Sequence, residues 1–246
     1  MKILRVDFET YSEAPLSGAD SVGVWNYANH PSTQILMMAY KLPGAKIVEL
    51  WQPHLGLMPD SVLTCLKDEN VILSAFNSAF ERYILQFKLN TEIPASRFID
   101  PQISARYLSM PGDLDEVSGI LRLPLHLAKD KRGDQLIKLF CEPQILKKTK
   151  SREGRIYRAD WTTHPEEWEA FGNYCRQDVV AEEEVSRRME ILGALPPPPF
   201  ERRLWELDQK INDKGIPVDI QFVKSAYKLA TRAKQEAKDA QNANTG

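Results

Sequence analysis

The run Ile3-Leu4-Arg5-Val6-Asp7-Phe8-Glu9-Thr10 places two acids two positions apart at the end of an apolar stretch. Along a strand, successive side chains alternate between faces, so Asp7 and Glu9 share one face while Val6 and Phe8 take the other. Two carboxylates side by side repel each other and are costly to desolvate. A shared divalent cation is the usual means of holding them together. An isolated Asp-x-Glu is more often a strand end whose acids meet solvent, so the rest of the chain must decide its meaning.

At 246 residues the chain can hold one sizeable domain with an appendage, or two small domains. Its 43% hydrophobic and 27% charged residues are ordinary for a soluble globular protein. A net charge of −2 excludes a uniformly basic nucleic-acid binder, while leaving room for a local basic groove beside an acidic site. The three cysteines, Cys65, Cys141 and Cys175, are odd in number and widely spaced. They indicate neither a disulfide framework nor a zinc site, and each is expected to be a small buried hydrophobe. Arg5 and Asp7 interrupt the only apolar run near the start, so no signal peptide is read there. No stretch approaches the roughly 18 continuous apolar residues of a membrane span, and a reducing cytoplasm is the expected compartment.

Working outward, residues 3–6, 34–41 and 46–51 read as strands, the last two joined by the turn signal Leu42-Pro43-Gly44-Ala45. Residues 60–66 have helical spacing, and 71–76 is an apolar run suited to a buried strand. Helices are expected near 78–89, 101–109, 114–122, 133–141 and 166–191, with 143–162 as an exposed loop. Strands first and helices after, with a βα crossover at 71–89, indicate an α/β sheet flanked by helices. Pro196-Pro197-Pro198-Pro199 is the sharpest break and favours a stiff spacer. The expected organisation is therefore a domain at 1–192, a proline-rich linker at 193–199, and a helical segment at 200–246. Helices are expected there at 200–212 and 219–241, the second so polar that it needs a partner surface.

Two further acidic sites follow the first. Ser74-Ala75-Phe76-Asn77-Ser78-Ala79-Phe80-Glu81-Arg82 lies at a strand-to-helix junction, where Asn77 can cap the helix and Glu81 falls in its first turn. Asn173-Tyr174-Cys175-Arg176-Gln177-Asp178 lies within a helical pattern, with Tyr174 and Asp178 one turn apart on one face. A phenol beside a metal-bound carboxylate can orient a water molecule.

An Asp-x-Glu, an Asn-x-x-Phe-acid and a Tyr-x-x-x-Asp in that order resemble the 3′–5′ exonuclease superfamily named for its four acids, DEDD, in its tyrosine-bearing subgroup. The intervening text is similar to the proofreading domain of bacteriophage-type family A DNA polymerases. It includes Phe8-Glu9-Thr10-Tyr11-Ser12, His30-Pro31-Ser32-Thr33, Phe98-Ile99-Asp100, Asp130-Lys131-Arg132-Gly133, Leu139-Phe140-Cys141 and His164-Pro165-Glu166-Glu167-Trp168. The resemblance covers about residues 1–192 and implies an RNase H-like mixed sheet flanked by helices, followed by a short helical extension. It departs from the superfamily at Glu81, where Asp is usual. Phage-type domains often read Asn-x-x-Phe-Glu there, which keeps Glu81 in the role.

What the resemblance implies is hydrolysis of phosphodiester bonds at a DNA 3′ end, single-stranded or frayed, with release of nucleoside 5′-monophosphates. Two divalent cations, Mg²⁺ or Mn²⁺, would be held by Asp7, Glu9, Glu81 and Asp178, with Asp7 bridging both and Tyr174 orienting the attacking water. Asn173 stands where a sister subgroup has a catalytic His, and His30, His54, His126 and His164 lack ligand-like spacing. Asn77, Phe80, Lys131 and Arg132 are the candidate DNA contacts, with Lys147–Lys150 a weaker basic cluster and Tyr107 a second stacking candidate. Residues 204–219 look like the start of a family A polymerase domain. Because no palm-type aspartates follow, polymerase activity is not expected of this chain, and a shortened polymerase is favoured over a free-standing exonuclease. The alternatives are an RNA-trimming exonuclease of the same fold and a non-catalytic module that grips DNA or a polymerase.

Overall fold

The structure, a computed structural model, describes residues 1–124, 133–145 and 156–245. The longest strand is β1 (Lys2–Tyr11), followed by helix α1 (Gly23–Asn29), strands β2 (Gln34–Lys41) and β3 (Glu49–Trp51), and helix α2 (Asp60–Lys67). Strand β4 (Val71–Ser74), helix α3 (Ala79–Leu89) and strand β5 (Phe98–Ile99) come next. Helices α4 (Pro101–Tyr107), α5 (Leu114–Ile120) and α6 (Gly133–Phe140) lead to a short pair, β6 (Gln144–Ile145) and β7 (Ile156–Tyr157). The 27-residue helix α7 (Pro165–Ile191) precedes α8 (Pro199–Lys214) and α9 (Ile220–Thr245).

Five strands form one sheet in the order β3-β2-β1-β4-β5. β1 and β3 run antiparallel to β2, whereas β4 runs parallel to both β1 and β5, so the sheet is mixed as expected. The even positions of β1 carry the main core: Leu4, Val6 and Phe8 pack with Val62 and Leu66 of α2 and with Tyr83 and Ile84 of α3. On the other face, Tyr11, Met37 and Ala39 meet Phe140 of α6 and Trp168, Phe171, Tyr174 and Cys175 of α7. A third cluster joins Ile99 and the helices α4 and α5 to Ala181, Val185 and Met189 of α7. Among the described residues no helix is long and apolar enough to cross a membrane.

Several elements differ from the sequence expectation. The expected strand 46–51 is shortened to Glu49–Trp51, and 71–76 stops at Ser74. Helix α1 has no side-chain cap and no acidic residue in its first turn, and β5 is two residues long, so neither carried a sequence signal. Of the expected loop 143–162, the described ends pair antiparallel as β6 and β7, and Ala159 is buried. Just past β7, Arg158 is held against the main sheet: its guanidinium lies 4.4 Å from the Tyr11 ring centroid and donates to Gln34 Oε1 at 2.6 Å.

The chain divides into a compact unit, Met1–Gln209, and a second, Lys210–Gly246. The proline run lies inside the first unit. Ala194 and Leu195 are buried, the Ser104 hydroxyl donates to Ala194 O at 2.7 Å, and α8 opens on Pro199, whose missing N–H costs nothing at a helix start. Arg82 Nη2 donates to Gln209 Oε1 at 3.1 Å, which ties the first part of α8 to α3. In the second unit the apolar residues Ile220, Phe222, Tyr227 and Leu229 of α9 are exposed.

The odd face of β1 is polar and faces α7. Arg5 Nη1 donates to both oxygens of Glu182 at 2.8 and 2.7 Å and to Ser74 Oγ at 3.0 Å, and the Ser74 and Ser186 hydroxyls donate to Glu182 Oε1. Glu183 stands 3.7 Å from Arg5 Nε as a second acid and also takes Lys41. Removing one partner of such a buried pair strands the other charge, so Glu182→Ala should cost about 3 kcal/mol, the low end of the usual range because Glu183 remains nearby. Urea denaturation checks this, and a paired Arg5→Met, Glu182→Leu variant should recover most of the loss.

Candidate active site

Asp7 and Glu9 point to the α7 side of β1. The register of β1 against β2 slips between Glu9 and Thr10, beyond both acids, so their alternation is undisturbed. Glu9 is buried and Asp7 partly so. Each meets a thiol: Cys175 Sγ donates to Asp7 Oδ2 at 3.4 Å, and Cys141 Sγ donates to Glu9 Oε2 at 3.7 Å. Ligand atoms of Asp7, Glu9 and Cys175 all lie within 4.8 Å of one another. These two cysteines are buried in the second core cluster as expected and are also polar partners of the acids; both thiols are pushed to high pKa by burial first and then by the neighbouring carboxylates.

Glu81 lies in the first turn of α3, buried. Its carboxylate accepts from its own backbone N–H, while Oε2 is buried without a hydrogen-bond partner. Burial first, then the charges of Asp7, Asp100 and Glu9, hold its pKa well above the ordinary carboxylate range. Asp178 is buried on α7, and the Tyr174 hydroxyl hydrogen-bonds it from one turn away. Burial, followed by the charges of Asp178, Glu9 and Asp7, drives the phenol far above its usual pKa, so Tyr174 keeps its proton and donates it to Asp178. The ring is fixed from two sides. Phe171 stacks at 6.1 Å and 10°, and Gly133 sits so close that a Cβ there would overlap Cε2 and stand 2.8 Å from Cζ.

The strand-to-helix junction is organised by a residue that sequence reasoning passed over. Asp100, buried at the start of α4, accepts from Asn77 N at 3.0 Å, Ser78 N at 2.8 Å, Ser78 Oγ at 3.0 Å and Gln102 N at 2.9 Å. Burial outweighs these bonds and raises its pKa to about 6. The expected capping role of Asn77 is corrected accordingly: Ser78 precedes α3, no side chain of the junction caps it, and Asn77 adopts a left-handed φ of 68°. Asn tolerates that conformation, and Asp100 takes the amides it leaves. An Asp immediately before Pro101 at a helix start was the available signal for Asp100. Cys175 stands three positions before Asp178 on the same helix, a spacing that could have drawn it into the site.

Asn77 is exposed, and Phe80 is half-buried beside the Tyr27 ring at 6.0 Å. Tyr107 lies at the exposed end of α4. Lys131, Arg132, the Lys147–Lys150 cluster and His126 fall outside the described residues. His30 bonds Ser32, and His54 stacks on Trp161 at 3.9 Å, so both pack locally as expected. Asp7 and Glu9 lie together, Glu81 feels their charge with one carboxylate oxygen buried and unpartnered, and Asp178 acts on the neighbouring Tyr174 and Cys175; acids so disposed fit a hard divalent cation, the group that turns such repulsion into attraction.

No family model matches the chain. Its fold is similar to that of RNase D of Escherichia coli, an exoribonuclease involved in structured RNA processing, at a TM-score of 0.52 and 16% identity over 87% of this chain and 46% of that one. It is also similar to NrnC of Brucella melitensis with bound Mg²⁺, at a TM-score of 0.50 and 13% identity over 89% of each chain. The fold is thus the RNase H-like α/β fold that these solved structures share. In sequence, the chain is 36% identical over 228 residues to a DNA polymerase of Bacillus phage SP02, a match taking in 92% of this chain. It spans 33% of the length of that curated relative.

Without a cation, the folded state holds protons on Glu81 and Asp100 that the unfolded chain releases above their ordinary values of 4.5 and 3.8. The stabilisation these protons carry is therefore full below those values and is lost as pH rises, through about 6 for Asp100 and through the raised value of Glu81. Urea unfolding of cation-free protein should show stability falling as pH rises from about 4 through about 6, and Glu81→Gln should flatten the curve. Gly133→Ala should cost about 1–3 kcal/mol by crowding the Tyr174 ring, and a tyrosine-fluorescence or NMR shift at Tyr174 would locate the strain.

Proposed function

We propose that the chain is a metal-dependent 3′–5′ exonuclease that hydrolyses the terminal phosphodiester of DNA and releases nucleoside 5′-monophosphates. The observation that carries this reading is the Asp7–Glu9 pair, whose charges act on Glu81 from one side and on Tyr174 from the other, with Tyr174 donating to Asp178. Similarity to a phage DNA polymerase supports DNA as substrate and a proofreading setting beside a polymerase domain.

The four acids would hold two divalent cations, Mg²⁺ or Mn²⁺. Bound there, such ions supply a nucleophilic water of lowered pKa and neutralise charge building on the phosphate. Tyr174 cannot act as a base, because its proton is held far above physiological pH. With that proton directed to Asp178, its oxygen presents lone pairs to an attacking water and orients it. Gly133 and Phe171 keep the ring from turning away. Asp100 fixes the backbone that leads into α3, and so the position of Glu81. Asn77 and Phe80, next to Glu81, are placed for the terminal nucleotide, while Lys131 and Arg132 would offset the acids by neutralising phosphates. Such contacts carry no sequence information, so little sequence preference is expected.

Single-stranded DNA labelled at either end, digested with Mn²⁺, tests the reading directly. A 3′ label should be released at once as mononucleotide, while a 5′ label should pass through a ladder of shortening products. Degradation of matched RNA with DNA left intact would assign the site to RNA trimming instead. Asp7→Ala should lower the rate by about 10³-fold or more, the scale of lost charge stabilisation. Tyr174→Phe should cost on the order of 10²-fold through misoriented water, with cation affinity kept. Saturating Mn²⁺ should raise the Tm of the wild type and not of Asp7→Ala, and an unchanged wild-type Tm would count against cation binding by the four acids.

A further inference from the structure

Cys175 adds a sulfur atom to an otherwise oxygen-only cluster, and the proposed reaction makes no use of it. Its Sγ lies 3.4 Å from Asp7 Oδ2, and the ligand atoms of Asp7, Glu9 and Cys175 fall within 4.8 Å of one another. A tetrahedral ion bound at about 2.3 Å to sulfur and about 2.0–2.2 Å to oxygen separates those two ligands by roughly 3.5 Å. Asp7 and Cys175 therefore already stand at the edge length such an ion needs, with Glu9 within 4.8 Å of both. A separate observation shows an unmet acceptor close by: Glu81 is 3% exposed, its Oε2 is buried without a hydrogen-bond partner, and Asp7 is the nearby charge that acts on it most.

We propose that Asp7, Glu9 and Cys175 form a site for a single thiophilic divalent cation of the Zn²⁺ or Cd²⁺ class. Bound there, the ion excludes Mg²⁺ or Mn²⁺ from the same acids and shuts the site down. Thiolate donors select soft ions over Mg²⁺, which prefers oxygen and near-ideal octahedral geometry. On binding, the S–H proton of Cys175 passes to solvent and the sulfur keeps its electron pair, which it donates to the ion. No redox change is involved. The inference rests on reading the acids as cation ligands, and not on the nature of the reaction they serve.

Cd²⁺ titrated into the full chain, followed by the ultraviolet sulfur-to-cadmium charge-transfer band, tests it. The wild type should develop the band to saturation at one equivalent, and excess Mn²⁺ should diminish it. Cys175→Ser and Cys175→Ala should both lack the band, and their Cd²⁺ affinity by calorimetry should fall by at least the roughly 10–100-fold that even outer-sphere changes cause. Cys141→Ser should retain the band, because Cys141 lies outside the cluster. Asp7→Asn should weaken Cd²⁺ binding, a second check that does not depend on replacing the cysteine. No band in the wild type, a band that persists in both Cys175 variants, or a band lost with Cys141→Ser would overturn the site. Nuclease assays in parallel separate the two readings. A protein with the band and no Mn²⁺-dependent hydrolysis of DNA overturns the nuclease reading and upholds the site. An active nuclease with no band, and indifferent to Cd²⁺, overturns the site alone.

Discussion

Helix α7 lies across the polar face of β1, and the rest of the structure follows from how that contact is charged. The helix presents Tyr174, Asp178, Glu182 and Ser186 at four-residue intervals, a single stripe one turn apart at each step. The strand presents Arg5, Asp7 and Glu9 at two-residue intervals on the facing side. At one end the signs match: Arg5 meets Glu182, supported by Ser74 and Ser186. At the other end they do not, because Asp7 and Glu9 are met by thiols, a phenol and another acid. The matched end anchors the helix so that the mismatched end can be held in place.

That mismatch is a cost carried by the fold. A buried carboxylate such as Glu81, raised by burial and by the charges of Asp7, Asp100 and Glu9, destabilises the charged folded state, and the surrounding structure must over-determine its position for the arrangement to persist. It does so by several independent means. Asp100 binds the junction before Glu81 through three donors, Gly133 and Phe171 confine Tyr174, and the two cores on either side of the sheet fix β1. The longer arm of Glu81 belongs to the same logic. From the first turn of α3 its carboxylate bonds its own backbone amide and keeps Oε2 buried without a partner, and the extra methylene does not remove it from Asp7's field.

Much of this was legible in the sequence because it depends on local periodicity. Alternation alone put Asp7 and Glu9 on one face of β1 and Val6 and Phe8 on the other, and the four-residue spacing of Tyr174 and Asp178 put both on one stripe. The main helices and the βα crossover at β4 and α3 follow from the same arithmetic. Where the sequence was mute, the determining contact is non-local. Strand β5 is two residues long and exists because β4 lies beside it; β6 and β7 exist because they pair with each other. Asp100 caps a junction 22 residues upstream, a relation that no window around Asn77 contains. Local reasoning therefore assigned the cap to Asn77, the nearest suitable residue.

The cysteines show the same limit from the side of chemistry. A Cys in an apolar pattern reads as a small hydrophobe, and by burial alone Cys141 and Cys175 are that. What changes their meaning is which atoms they meet: a thiol is a weak donor, and beside a carboxylate it becomes one of the few groups that can share an apolar wall with a buried negative charge. A serine would hydrogen-bond the acids more strongly and hydrate more readily, and an alanine would remove the thiol's bond to them. The thiol thus fits a position that must be apolar toward Phe171 and Ala39 and polar toward Asp7. The same polarisable sulfur makes the cluster open to ions that a purely oxygen-lined site would bind less well.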